Sequence, residues 1–327
     1  MGEAAAGGAP VAAGPTGAPG REYTETDPRR TIGNMIDPSG FPQGPIECKF
    51  VGGDEGDGGA GGLTGGQRGG GVRQEDEALV QRAITEGEPA WDGVRTALNQ
   101  FAPTDPARVL EAKNEILRRI VLKEAGLTDT PARQAVSDLL TRYIQVLEIT
   151  PDILNYRDQN GTTVLMQAAV NGSWKCIQVL ARPDLRVDPN LQNTGGETAL
   201  MWAAAYNEIS AIRELKKFRN DQNDPRRPIN LNYNVVDNIG WNAMMVAAWC
   251  GHDAVVQQLA DYTNVNHVDL AGRNAAKLAL DPNSPARIRG VSNKIIDMLG
   301  RWRHPQKGGR NRTPRRSKTN SKKRGTR

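Results

Sequence analysis

Between residues 75 and 150, apolar residues recur three and four positions apart, which is the spacing of an amphipathic helix. Val109, Ile116 and Ile120 fall on one side of such a helix. Pro106 and Pro131 open the two longest series, and a proline near the first helical position is a common start signal. The pattern predicts four helices, over residues 75–84, 91–101, 106–125 and 131–147.

One block of sequence recurs four times after residue 150. Its landmarks are a glycine, an asparagine six residues before it and an alanine seven residues after it. The glycines are Gly161, Gly196, Gly240 and Gly272, so the period is 32 to 44 residues. A period of this length with fixed internal landmarks indicates stacked supersecondary units, each of which buries its apolar face only against its neighbours.

The local chemistry of one unit can be predicted from the first copy. Gly161 lies three residues after Asp158, where a tight turn needs a positive φ. Thr163 stands at the N-cap position of a first helix. Gly172 stands where that helix should end. A second helix follows, with Cys176, Ile177, Val179 and Leu180 at helical spacing.

This block resembles the ankyrin repeat, whose pattern is Asp-x-x-Gly-x-Thr-Pro-Leu-His-x-Ala-Ala. The resemblance covers residues 150 to 300. It implies an all-α fold, an ankyrin-repeat solenoid of about four to five repeats with an N-terminal helical cap and disordered ends. The helix ending at Leu147 would be the second helix of a degenerate leading repeat. The fourth copy has Lys277 and Leu280 at the usual His and second Ala, so we expect a terminal cap there.

Composition divides the chain into four predicted segments. Residues 1–72 are rich in Gly, Ala and Pro and offer few side chains to bury, so we expect disorder. Residues 73–129 are either a helical cap on the stack or a small separate helical module. Residues 130–300 form the repeat domain, with degenerate first and last units, and residues 301–327 a disordered basic tail.

Charge is concentrated at the C-terminal end. The formal net charge is +5, yet residues 301–327 hold 12 Lys or Arg and no Asp or Glu. Such a tail attracts polyanions, including nonspecific nucleic acid, although a purely solubilising role is equally compatible with its composition. In composition the tail also resembles those of proteins of large DNA viruses. The candidate polyanion-binding residues are Arg310, Arg312, Arg315, Arg316, Lys318, Lys322, Lys323 and Arg324.

The family resemblance places partner contacts at the turn tips and on the inner helix face. Aromatic side chains at those positions are candidate hot spots, because they bury large areas at little rotamer cost; the alternative is that they pack between neighbouring repeats. A long insertion in the second repeat adds arginines that could meet an acidic partner. The candidate partner-binding residues are Tyr206, Arg219, Arg226, Arg227, Trp241 and Trp249.

No catalytic, cofactor-binding or metal-binding site is predicted, because none of the three histidines lies in a nucleophile or metal constellation. The favoured function is a non-enzymatic scaffold or adaptor whose concave repeat face binds another protein and whose tail binds polyanions. The alternative is a nucleic-acid-associated or virion structural protein in which the tail carries the main function. Without a signal peptide or an 18-residue apolar run, we expect no membrane span and an intracellular location, cytoplasmic or nuclear.

Overall fold

The computed structural model describes residues 74–218 and 230–303, all of which belong to one compact unit. These residues form helices and loops, with no strand among them. The four helices predicted before residue 150 are present: α1 (Gln74–Thr85), α2 (Glu88–Phe101), α3 (Pro106–Leu122) and α4 (Thr130–Val146). The next five are α5 (Pro151–Leu154), α6 (Val164–Val170), α7 (Trp174–Leu180), α8 (Ala199–Ala205) and α9 (Ile209–Leu215). The last five are α10 (Ala243–Cys250), α11 (Asp253–Leu259), α12 (Ala275–Leu280), α13 (Pro285–Ile288) and α14 (Ser292–Arg303).

The helices pack as pairs in two rows. An inner row consists of α3, α6, α8, α10 and α12, each packed on the next. In an outer row α4, α7 and α9 follow one another, and α11 packs on α14. Each inner helix also packs on the outer helix of its own pair. The described residues therefore contain five stacked units, which confirms the predicted all-α solenoid of four to five repeats.

The helices α1 and α2 extend this arrangement. The first packs on α3 and the second on α4, so the two rows continue toward the N-terminus. Trp91 of α2 and Tyr143 of α4 meet edge to face, with ring centroids 5.4 Å apart. Val80 of α1 and Leu299 of α14 belong to the same continuous apolar core. Helices α1 and α2 therefore pack on the stack and share its apolar core.

The last helix departs from the predicted boundary between the repeats and the tail. The tail was expected to begin at residue 301, but α14 runs to Arg303. Ile295 and Leu299 are buried four residues apart and anchor this helix against α12. The helix therefore continues past Gly300. The buried residues that anchor it, Ile295 and Leu299, come before the basic residues of the tail. The N-terminal segment, and the tail from residue 304 onward, lie outside the described residues.

The start of each inner helix is fixed by the repeated sequence. The predicted N-cap is confirmed, because Thr163 Oγ1 accepts a hydrogen bond from the backbone N of Met166 at 3.2 Å. Three residues at equivalent positions cap α8, α10 and α12 in the same way: Thr198, Asn242 and Asn274. The same position in each repeat thus holds a polar residue, which accepts a hydrogen bond from a backbone N–H that would otherwise be unpaired at the start of its helix.

The repeated asparagines link each unit to the next. Asn155, Asn190 and Asn234 lie in the loops that precede the turn tips, six residues before a glycine. Each side-chain oxygen accepts a hydrogen bond from a backbone N–H in the corresponding loop of the following unit. In chain order the donors are Asp188, Asn232 and Asn264, at 2.8, 2.7 and 2.8 Å. Each bond joins a backbone N–H to a short side chain, and both groups have little freedom to move. The bonds therefore hold neighbouring units in register.

Small residues bring the inner helices close together. Ala203 is fully buried in α8, which packs on both α6 and α10. Replacing Ala203 with Leu should overpack both contacts and lower the free energy of unfolding by about 1–3 kcal/mol. Urea unfolding of Ala203→Leu measures this loss, and Gln178→Leu at an exposed position of α7 is the control. Unchanged stability of Ala203→Leu would contradict the assigned repeat register.

Candidate partner-binding surface

Each unit begins with a tip, the turn that precedes its inner helix. The side-chain oxygen of Asp237 accepts hydrogen bonds from the backbone N of Ile239 at 3.0 Å and of Trp241 at 2.8 Å. The first residue of every other tip makes the same two bonds: Asp158, Asn193 and Asp269. The tip backbone is thereby fixed. The two residues after the Asp or Asn are exposed in every tip except for Asn160, which is partly buried.

Neighbouring tips are bonded to one another through the backbone. Asn238 N donates to the carbonyl of Gly195 at 3.0 Å, and Leu270 N donates to that of Ile239 at 3.3 Å. Gly196 makes this approach possible, because a Cβ there would lie 2.7 Å from Asn238 Oδ1 and its φ is +80°. The predicted positive φ of Gly161 is confirmed at +73°. The tips therefore form one continuous edge along the stack.

Exposed apolar side chains lie in the third tip, in the fourth tip and at the residue just before the fourth tip. The exposed fraction is 40% for Ile239, 50% for Val268 and 83% for Leu270. We call these three residues the apolar tip surface. Large apolar side chains exposed side by side mark an interaction site more often than scattered ones do. None of the three is among the six candidate partner-binding residues named from the sequence, although partner contacts were expected at the turn tips as a class.

Two of the predicted partner-binding aromatics lie at the C-terminal ends of inner helices. Tyr206 is partly buried beside Trp202, with ring centroids 6.0 Å apart. Trp249 is partly buried beside Trp241, with centroids 5.4 Å apart and ring planes at 51°. Each therefore presents only part of its ring to solvent, and partner binding by Tyr206 and Trp249 stays a prediction.

Trp241 does not suit the predicted role of a direct partner contact. Its side chain is only 4% exposed. The indole Nε1 donates a hydrogen bond to Asp269 Oδ2 at 3.0 Å, and the Arg273 guanidinium lies 5.8 Å from the ring centroid. The prediction is corrected accordingly: Trp241 joins the third tip to the fourth. A buried indole needs a hydrogen-bond acceptor, and Asp269 of the next unit provides one.

The remaining candidates from the sequence cannot be placed. Arg219, Arg226 and Arg227 lie in the insertion between α9 and α10, outside the described residues. The eight candidate polyanion-binding residues of the tail lie outside them as well. Their predicted contacts with an acidic partner or with nucleic acid remain predictions.

The described residues offer surface contacts and little reactive chemistry. Within 74–218 and 230–303, no three His, Cys, Asp or Glu side chains are grouped as metal ligands would be. Burial raises the pKa of the Cys176 thiol, and the neighbouring Glu124 carboxylate raises it further, so the reactive thiolate is disfavoured. In the same two ranges, no helix is both long and apolar enough to cross a membrane.

Comparison with known proteins agrees with this architecture. A family model described as ankyrin repeats in three copies matches residues 134–224 and 165–269. Residues 134–269 therefore contain ankyrin repeats. The resemblance inferred from the repeated block is therefore confirmed. Ankyrin repeats generally mediate protein–protein interactions.

Two curated proteins are similar to the repeat region. Ankyrin repeat domain-containing protein 63 of Homo sapiens is 27% identical over 152 residues, which are 46% of this chain and 36% of that protein. The Mus musculus protein of the same name is 26% identical over 152 residues, 46% of this chain and 35% of its own length. The chain thus spans about a third of the length of these relatives.

Proposed function

We propose that this ankyrin-repeat protein is a non-enzymatic adaptor that binds another protein at its third and fourth tips. The observation that carries the proposal is the apolar tip surface. Leu270 and Ile239 belong to adjacent tips whose backbones are hydrogen-bonded, so the two side chains are held at a fixed spacing. Burial of apolar area against a partner supplies the main driving force for such association.

The neighbouring aromatic residues support the same location. The Trp249 ring packs against the Trp241 ring, and the Trp241 indole is hydrogen-bonded to Asp269 in the fourth tip. The exposed part of Trp249 is therefore held by a rigid set of contacts, and little side-chain entropy is lost when a partner covers it. Rigid aromatic groups beside exposed aliphatic groups are the composition expected at the centre of an interface.

The insertion and the tail extend the proposal beyond the described residues. We propose that Arg219, Arg226 and Arg227 add contacts to an acidic region of the partner, because the insertion rejoins the chain just before the third tip. The 12 cations of residues 301–327 would add affinity for polyanions that decreases steeply with salt. If the tail alone carried the function, the chain would be the nucleic-acid-associated or virion structural protein considered from the sequence.

A photo-crosslinking experiment with the full chain tests the proposal. A photoreactive residue placed at Leu270 should capture a defined protein in cells. The double variant Ile239→Asp/Leu270→Asp should then weaken binding of the identified partner by at least about tenfold, or roughly 1.4 kcal/mol. Both positions are exposed, so thermal stability should be unchanged.

Two controls separate the possible outcomes. Gln178→Asp changes charge at an exposed position of the outer row and should retain full partner affinity. A chain ending at Gly300 removes the tail cations and should retain protein binding while losing salt-dependent affinity for nucleic acid. Undiminished partner binding by the double variant would refute the tip site. Loss of partner binding on tail removal alone would favour the alternative function.

A further inference from the structure

One position in each tip lies directly after the glycine and before the helix cap. It is held by Thr162, Glu197, Trp241 and Arg273 in the four tips. In the third tip this residue bridges to the next unit, because Trp241 Nε1 donates to Asp269 Oδ2 at 3.0 Å. The first three of these side chains are buried, so their polar groups depend on partners inside the protein.

The second tip has a carboxyl group at the bridging position. Glu197 is buried, and the tip that follows opens with the buried Asp237. Backbone contact between the two tips is close, since Asn238 N binds Gly195 O at 3.0 Å. A Cβ on Gly196, next to Glu197, would lie 2.9 Å from Asp237 Cα. Where the third junction has the Trp241 N–H and an aspartate, the second junction has the Glu197 carboxyl group and an aspartate at the equivalent positions. Two adjacent buried carboxylates cannot both stay ionised without a large cost.

The other groups around this pair do not neutralise it. Glu197 Oε2 accepts a hydrogen bond from Asn193 Nδ2 at 2.8 Å, which is a neutral donor. The helices α6, α8 and α10 carry no acidic or basic side chain. Asp158 of the first tip is paired with Arg118 at 3.0 Å, and further charged or titratable residues lie on or beside the tips. Asp269 adds negative charge and is paired with Arg273 at 2.9 Å, His267 binds Gly240 O, and Arg157 binds Gln192 O.

The electrostatics of both acids follow from this arrangement. Burial raises the pKa of Glu197 from 4.5 to about 7, the bond from Asn193 opposes the shift, and the charge of Asp237 adds to it. Burial also raises the pKa of Asp237, although three backbone hydrogen bonds oppose the change and Asp269 reinforces it. At mildly acidic pH a proton is therefore held at this junction.

We propose that Glu197 and Asp237 form an acid-responsive contact between the second and third units. In the protonated state the Glu197 carboxyl donates a hydrogen bond to the Asp237 carboxylate, as the Trp241 indole does to Asp269 one unit later. When the proton leaves, the two negative charges repel each other and the junction between the tips weakens. Asp237 also accepts a hydrogen bond from the backbone N of Ile239, a residue of the apolar tip surface, at 3.0 Å.

The direction of the pH dependence follows from linkage. The folded-state pKa of Glu197 lies above its unfolded value, so its stabilising contribution is fully present below about pH 4.5 and is lost as pH rises through about 7. Asp269 titrates in the opposite sense. Burial works against its ionised form, yet hydrogen bonds from Arg273 and Trp241 keep its pKa below 3.8, outside this window.

Urea unfolding of the full chain between pH 5 and 8.5 tests the proposal. In the wild type, the folding equilibrium constant should fall on the order of tenfold or more across this range. Glu197→Gln mimics the protonated state and should remove that decrease, with greater stability than the wild type at pH 8. Hydrogen exchange of the Asn238 amide should show the same difference locally.

Two further measurements make the outcome decisive. Glu88→Gln removes an exposed carboxylate and should keep the wild-type pH dependence, which also controls for titration of the histidines. Infrared spectra of the wild type should show a protonated carboxyl band that disappears with a midpoint near pH 7. A wild type without that band above pH 5.5, or a folded Glu197→Gln with the wild-type pH dependence, would overturn the proposal. The infrared titration decides the matter even if Glu197→Gln does not fold.

Discussion

Replacing Glu124 with Ala should lower the free energy of unfolding by about 3–5 kcal/mol, because it removes one partner of a buried ion pair. The Glu124 carboxylate is fully buried between α3 and α4 and meets Arg133 Nη1 at 3.1 Å. It also accepts hydrogen bonds from the backbone N of Lys175 at 2.9 Å and of Cys176 at 2.8 Å. One side chain of the leading unit therefore caps α7 of the following unit, and its loss leaves a charge and two amides without their partner.

An exposed ion pair gives the matched control for this prediction. Glu88 and Arg142 join α2 to α4 at 2.6 Å, but both side chains face solvent. Glu88→Ala should therefore cost no more than about 1 kcal/mol. Urea unfolding at neutral pH measures both losses. Comparable small losses in the two variants would contradict a capping role for Glu124.

The repeated landmarks predicted the local structure well because each has a short-range physical cause. Gly161 adopts the positive φ that its turn requires, and Thr163 caps the helix that begins at the next residue. Both effects depend on residues within four positions along the chain. Because the same landmarks recur in four blocks, the sequence alone predicts the turns and the starts of the inner helices.

Contacts between units were harder to predict, because their partners lie some 30 to 50 residues away. The sequence around Glu124 contains no feature that distinguishes a buried helix cap from an exposed loop acid. Trp241 shows the same difficulty, since an aromatic residue at a tip suits either a partner contact or an internal bridge. Only the position of Asp269 in the next tip decides between these two roles.

The apolar tip surface could have been found from the sequence by aligning the four tips. Ile239 and Leu270 occupy positions that hold Asn160 and Gln159 in the first tip. When a tip position is polar in one repeat and apolar in another, the apolar residue indicates that the surface of its tip is not simply exposed to solvent. The landmarks that the four blocks share do not include these positions. Repeat sequences therefore predict the scaffold through their common positions and the binding site through their variable ones.

The helices α1 and α2 contain none of the repeated landmarks, and only packing shows how they join the stack. Trp91 is fully buried there, and its Nε1 donates a hydrogen bond to Ala83 O at 3.0 Å. Its ring meets Tyr143, whose hydroxyl binds Lys113 O at 3.0 Å in the leading unit. This chain of contacts links α1 and α2 to both rows of helices.

Replacing Trp91 with Ala should therefore cost about 3–5 kcal/mol and destabilise more than its own helix. In a linear stack each unit depends on its neighbours, so the loss should shift a single unfolding transition. Circular dichroism and hydrogen exchange of α10 amides should report the same midpoint. Thr96→Ala, at an exposed position of the same helix, should change stability by no more than about 0.5 kcal/mol. Two separate transitions, with only the weaker one moved by Trp91→Ala, would show that the N-terminal helices fold as an independent module.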